Sequence, residues 1–120
     1  MKRRDATRLA CEAAVSATAF AAPEAREALA VLRGSASPDA SLRVRLERLA
    51  AVLDDEYLRL NEAGGDERQV SPCFYSARAA SALAFALTGD DAQVHEAIYE
   101  SIAALPEPAE LVRLIEEALA

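Results

Sequence analysis

Residues 77–87 read Ala-Arg-Ala-Ala-Ser-Ala-Leu-Ala-Phe-Ala-Leu, a run that is apolar nearly all round when wound as a helix. Such a helix has almost no polar side to give to water, and it belongs in the middle of a bundle. Nor does any stretch of the chain approach the roughly 20 apolar residues that spanning a bilayer requires. The wider composition argues the same way. Alanine occupies 29 of 120 positions and leucine 15, against four glycines and few β-branched residues, a balance that favours helix over sheet. With one Met, no Trp and six other aromatics, the large core side chains are chiefly leucine, and the alanines compensate by letting helix axes come close. The length suits one domain with one core. The expectation is all-α: a single-domain up-and-down bundle of about five to six helices, whose short connections make consecutive helices antiparallel neighbours.

Start and stop signals divide the chain into six helical segments. The first, from about Asp5 to Ala21, places Leu9, Ala13, Ala17 and Phe20 on one stripe. Pro23 suits a first helical turn, and Gly34 is placed to cap a short second helix carrying Ala25, Ala28, Leu29 and Leu32. Ser37-Pro38 reads as an N-cap followed by proline at the first helical position. From there a third helix runs to about Ala63, with Leu42, Leu46, Leu49, Leu53 and Leu60 on a heptad stripe and Tyr57 filling the turn between the last two. Its length and periodicity mark it as the central strut, with a homodimer seam as the alternative use of the leucines. Gly64-Gly65-Asp66 stops it, and a charged loop to Gln69 follows. Ser71-Pro72 repeats the cap-plus-proline start and opens the Ala-rich fourth helix, which continues to Thr88. Asp90 with Gln93 resembles a capping box for a fifth helix carrying Val94, Ala97, Ile98, Ile102 and Leu105. Pro106 and Pro108 force a break before a last amphipathic helix bearing Leu111, Leu114, Ile115, Ala118 and Leu119.

The charges are divided along the chain. Residues 1–50 hold nine Lys/Arg against six Asp/Glu, and residues 51–120 hold four against fourteen. A concentrated acidic surface attracts basic partners and repels nucleic acid and anionic membranes. Cys11 and Cys73 stand apart without a CxxC or Cys/His cluster, which suits a reduced, cytoplasmic chain. Lys2-Arg3-Arg4 ahead of an Ala-rich stretch imitates a secretory leader, but Asp5, Arg8 and Glu12 interrupt the segment that would have to be apolar. An amphipathic first helix is expected instead. The same basic cluster lacks aromatic interleaving, so nucleic-acid binding is not expected of it.

No catalytic, metal or nucleotide motif of any specificity is present, and no cofactor is implied. His95, the single histidine, shares a helical face with Asp91 and Tyr99. One such residue beside a carboxylate is ordinarily a solvated surface side chain, and acid-base work needs far more convergent geometry. Helical di-iron proteins use repeated Glu-x-x-His motifs, of which the chain has none. Cys73 opens a helix just after proline, where a thiol can become nucleophilic, but no base accompanies it. Of the neighbouring Phe74 and Tyr75 only one can face inward, which makes Tyr75 a candidate exposed anchor. The densest acidic run is Asp54-Asp55-Glu56, without the spacing of a calcium loop. With Glu62, Asp66 and Glu67 it forms a candidate acidic docking surface for a basic protein.

The stretch from Ser71 to Leu87, with its aromatic-proline start and Ala-rich helix, followed by the helix from Val94 to Ala104, resembles the all-helical bacterial YjaG-like family. The architecture is also similar to that of small bacterial immunity proteins, which occupy the active surfaces of toxins. Neither resemblance carries a catalytic motif, and neither transfers a functional residue. The acidic half of the chain and the lack of a catalytic motif lead to the expectation of a small cytoplasmic bacterial binding protein rather than an enzyme, with toxin immunity through the acidic face as the specific form. A structural or oligomeric helical subunit is the alternative, and a small-ligand or enzymatic protein using His95 the third.

Overall fold

The computed structural model describes residues 2–18, 20–37, 39–88 and 90–120. These form six helices and no strand: α1 (Lys2–Thr18), α2 (Pro23–Leu32), α3 (Ala40–Glu62), α4 (Glu67–Ala86), α5 (Asp91–Ala103) and α6 (Ala109–Leu119). The all-α bundle expected from composition is the fold observed.

Local chemistry sets most of the boundaries. Pro23 opens α2, where its missing N–H would have had no intrahelical partner. Helix α2 then ends in a Schellman motif: Gly34 N–H donates to Val31 O at 3.0 Å and Ser35 N–H to Ala30 O at 2.9 Å, with Gly34 left-handed at φ +79°. Asp90 caps α5 by accepting from Ala92 N–H at 2.9 Å. At α3 the expected Ser37 cap gives way to Asp39, whose backbone is extended and whose Oδ1 accepts from Ser41 N–H at 2.9 Å. Pro38 lies outside the described residues. That bond to the α3 amide is the main reason the Asp39 carboxyl titrates below its ordinary range, with Arg45 helping. The fourth helix also departs from expectation. It starts at Glu67, a turn before Ser71, so the segment read as loop through Gln69 is already helical and Pro72 sits inside the helix. Buried Val70 explains the extra turn, because its side chain seats against the end of α3 beside Gly65.

Helix α4 is the centre of the molecule, packing on α1, α2, α3 and α5. Ala77, Ala79, Ala80, Ala82, Leu83 and Ala84 are buried. Small side chains on nearly every face allow that many neighbours at close axial distance. One apolar cluster joins Ala79, Ala80, Ala82, Leu83 and Ala84 to Cys11, Ala14 and Phe20, to Ala25, Ala28 and Leu29 of α2, and to Leu42, Leu46 and Ala50 of α3. A second cluster unites Ala6 and Ala10 with Leu111 and Ile115 of α6, against Ile98, Ile102 and Leu105. Helix α1 belongs to both. It therefore buries Ala6, Thr7, Ala10, Cys11 and Ala14; of the expected stripe Phe20 is buried just past the helix end, Leu9 and Ala13 are half-buried, and Ala17 is exposed. Buried Thr7 and Ser101 satisfy their hydroxyls on the carbonyls of Arg3 and Ala97 one turn back in their own helices.

The long third helix is not central. It packs on α4 along one side and on α2 near its start, and its other side faces out. Leu42 and Leu46 are buried, and Leu49 and Leu53 pack against the core. The leucine stripe is thus committed to α4 and is not available as a dimer seam.

Candidate functional surface on the third helix

Asp54, Asp55 and Glu56 are consecutive helical residues, and a helix turns about 100° per residue, so their side chains leave α3 in three directions. The structure accordingly separates them. Asp54 turns toward α4 and is held by Arg78, with Nη2 at 2.8 Å from Oδ1 and 2.7 Å from Oδ2. Glu56 pairs with Arg59 one turn on, and that hydrogen-bonded guanidinium holds its carboxyl below the ordinary range. Asp55 and Glu62 are exposed, seven residues apart on the outward side of α3. Asp66 is exposed in the loop after the helix. The side chains of Glu67 and Asp91 lie outside the described residues. Tyr75 is half-buried, its ring 5.6 Å edge-on from that of Phe74, which in turn lies 5.3 Å from the ring of Tyr57. Tyr57 and Phe74 thus meet at the α3–α4 contact, away from the outward acids. His95 and Tyr99 are exposed on α5.

Arg78 is the residue that pattern reading passed over. It stands inside the Ala-rich run, and its guanidinium joins three helices: Nη2 binds Asp54 of α3, and Nη1 donates to both oxygens of Glu100 of α5, at 3.2 and 3.0 Å. The cation also lies 5.6 Å from the centroid of Phe74, over the ring, and its Nε is buried without a hydrogen-bond partner. Glu100 is only 12% exposed. Burial pushes its carboxyl above the ordinary range, against the opposing pull of Arg78. The signal was present in the sequence as a charged side chain among alanines, since an arginine in a central helix requires carboxylates nearby.

The cysteines are free. Cys11 is buried, its thiol pushed up to about 12 by desolvation, and it packs 3.8 Å from the Ala82 carbonyl. Cys73 is half-buried. Among the described residues no three His, Cys, Asp or Glu side chains converge as metal ligands would. An open groove of about 560 Å³ lies between Arg43 and Glu47 of α3 and the segment from Phe85 to Gln93, but those two charges bind each other at 3.2 Å.

What α3 does present to solvent is a second, shorter apolar line. Val44, Ala51 and Leu58 recur every seven residues on the side away from α4, all exposed, Leu58 by 52%. Val52, 62% exposed, lies on the flank with Arg45 and Arg59. Arg48 and Asp55 border the line, and Glu62 continues it. Isolated exposed apolar side chains are ordinary; here three recur along one helix face with charged borders. Among the described residues no helix is long and apolar enough to cross a membrane. No protein-family model matches the chain, and no curated protein or solved structure does either.

Proposed function

We propose that this chain is a small protein-binding module, acting by docking rather than catalysis, and that its docking surface is the outward face of α3. The observation that carries the reading is the line Val44, Ala51 and Leu58 with Asp55 and Glu62 beside its second half. Apolar area gives such a contact its strength, and the carboxylates select a basic partner and speed its capture. Asp54 and Glu56 contribute mainly to the fold, because Arg78 and Arg59 already neutralise them. The free thiols suit a reducing cytoplasm. Neutralising a toxin by covering a basic active surface is the specific form that the acidic half of the chain favours, in a bacterial cell.

The test uses a synthetic amphipathic helical peptide with leucines at helical spacing and arginines elsewhere, its binding followed by fluorescence anisotropy at low and high salt. Binding that weakens with salt and is lost in Leu58→Glu and Asp55→Lys, but kept in Glu116→Lys on α6, supports the surface. Equal binding by all three variants overturns it.

A further inference from the structure

We infer that the partner seated on the outward face of α3 is a second copy of this chain, with the two α3 helices antiparallel about a twofold axis beside Ala51 and Val52. The inference rests on reading that face as the docking surface, and it is carried by the charge order along the helix. In the first half of α3 Arg43 is paired with Glu47 and Arg45 with Glu27 and Asp39, which leaves Arg48, and the second half bears Asp55 and Glu62 on the exposed side. A basic complement for Asp55 is therefore already on the same helix.

A twofold axis between residues 51 and 52 carries position 48 onto position 55 of the other copy. Arg48 and Asp55 lie on one flank of the apolar line, so two equivalent Arg48–Asp55 pairs form, one at each end of the contact. The same operation brings Val44 of one copy beside Leu58 of the other and sets Ala51 at the crossing, where a methyl side chain lets the two backbones approach. A parallel pair would instead carry each flank onto the opposite one, setting Arg48 against Glu47 and Asp55 against Asp54, carboxylates that Arg43 and Arg78 already neutralise, so Arg48 and Asp55 would never meet. On the opposite flank Glu47 and Asp54 would face each other across the axis, but Arg43 at 3.2 Å and Arg78 at 2.7 Å already neutralise them within each chain. An isologous contact of this kind closes at two copies. One face of a 23-residue helix, about 34 Å long, gives an interface at the low end of the specific range, of about 1,000 Å² in all. The dimer is accordingly weak, reversible and sensitive to salt.

Sedimentation equilibrium of the full chain and its charge variants tests the arrangement. Wild type shows a monomer–dimer equilibrium that high salt weakens. Arg48→Glu alone and Asp55→Arg alone each weaken the dimer by about tenfold or more. Both the double variant and an equimolar mixture of the two single variants restore it, because in each case a cation at one of the two positions again faces a carboxylate at the other across the axis. These positions are exposed, and circular dichroism confirms that the variants stay folded. A wild-type monomer at every concentration, or a dimer indifferent to both reversals, overturns the inference. A monomer that still binds the basic peptide through Leu58 and Asp55 overturns self-pairing and leaves the docking surface standing. A monomer that binds neither removes both readings.

Discussion

Arg78 grips Asp54 through both carboxylate oxygens, across a sequence separation of 24 residues, and with its other terminal nitrogen it holds Glu100 of α5. One guanidinium therefore fixes α3 and α5 to the central helix at the same point. Arg78→Ala leaves Glu100 desolvated with its cation gone, and the expected cost is about 3–5 kcal/mol. Arg78→Lys recovers only part of it, since a single ammonium cannot present two forks to carboxylates on different helices. In double-mutant cycles read by urea denaturation, the Arg78–Glu100 coupling exceeds the Arg78–Asp54 coupling, because Asp54 is 39% exposed and Glu100 12%. Equal couplings would show that burial does not set the strength of this network.

Glu100 also gives stability a pH dependence of unusual sign for a carboxylate. Its folded-state pKa is raised, by burial first, so between the ordinary glutamate value and the raised one the folded chain holds a proton that the unfolded chain has released. Its contribution is fully present in acid, below the unfolded pKa, and is lost as pH rises through the folded pKa. Asp39, Glu56 and Glu110, whose carboxyls are held low by hydrogen bonds, contribute in the opposite direction and lose their contribution as pH falls through their folded pKa values. The comparison that isolates Glu100 is wild type against Glu100→Gln, unfolded in urea across the acid range. The advantage of wild type over the amide is greatest in acid and shrinks toward neutral pH. A difference that grows toward neutral pH would mean that attraction to Arg78 outweighs burial.

The alanines of α4 are a packing device rather than a filler. Ala79, Ala80 and Ala82 are fully buried, and Ala82 offers its carbonyl to the buried thiol of Cys11 on α1. Enlarging any of them forces helix axes apart. Ala82→Leu and Ala80→Leu are expected to destabilise by about 1–3 kcal/mol or more, although leucine is nearly as good a helix former as alanine. Ala92→Leu, at an exposed position in the first turn of α5, is the control and is expected to be near neutral. Thermal melts separate the two classes directly.

How much of this could be read from the sequence depended on the range of the interaction. Gly34, Pro23 and Asp90 act on their own helix ends, and each was legible from its immediate neighbours. The central position of α4 was legible as well, because a helix without a polar side has to be surrounded. The position of α3 was not. A heptad of leucines says only that one face is covered, and the structure covers it mainly with α4 while Val44, Val52 and Leu58 stay outside. The acidic run misled for a similar reason: adjacent helical residues cannot share a face, and the partner that draws Asp54 from the surface lies 24 residues away. On α1 the buried residues are small ones rather than Leu9, since close approach to α4, α5 and α6 admits little more than a methyl group.

The turn between α3 and α4 joins two glycines that do different work, and substitution separates them. Gly64 is left-handed at φ +74°, donates to Asn61 O at 3.2 Å, and has open space where a Cβ would stand. Gly65 donates to Leu60 O at 2.8 Å, completing the Schellman pattern, but a Cβ there would lie 2.7 Å from that same carbonyl and 3.1 Å from Val70 Cγ2. Gly64→Ala therefore costs backbone strain alone, about 1 kcal/mol, and Gly64→Asn costs less. Gly65→Ala has to displace either the last turn of α3 or the first turn of α4, where buried Val70 anchors the chain. Its cost exceeds that of Gly64→Ala. Gly34→Ala, at φ +79° and likewise in open space, serves as the matched reference for pure strain. Urea midpoints at an unchanged m-value give the order Gly65→Ala most destabilised, with Gly64→Ala and Gly34→Ala alike. A Gly65→Ala variant no weaker than the other two would show that the interhelical turn repacks around the added methyl and that the early start of α4 does not depend on this close approach.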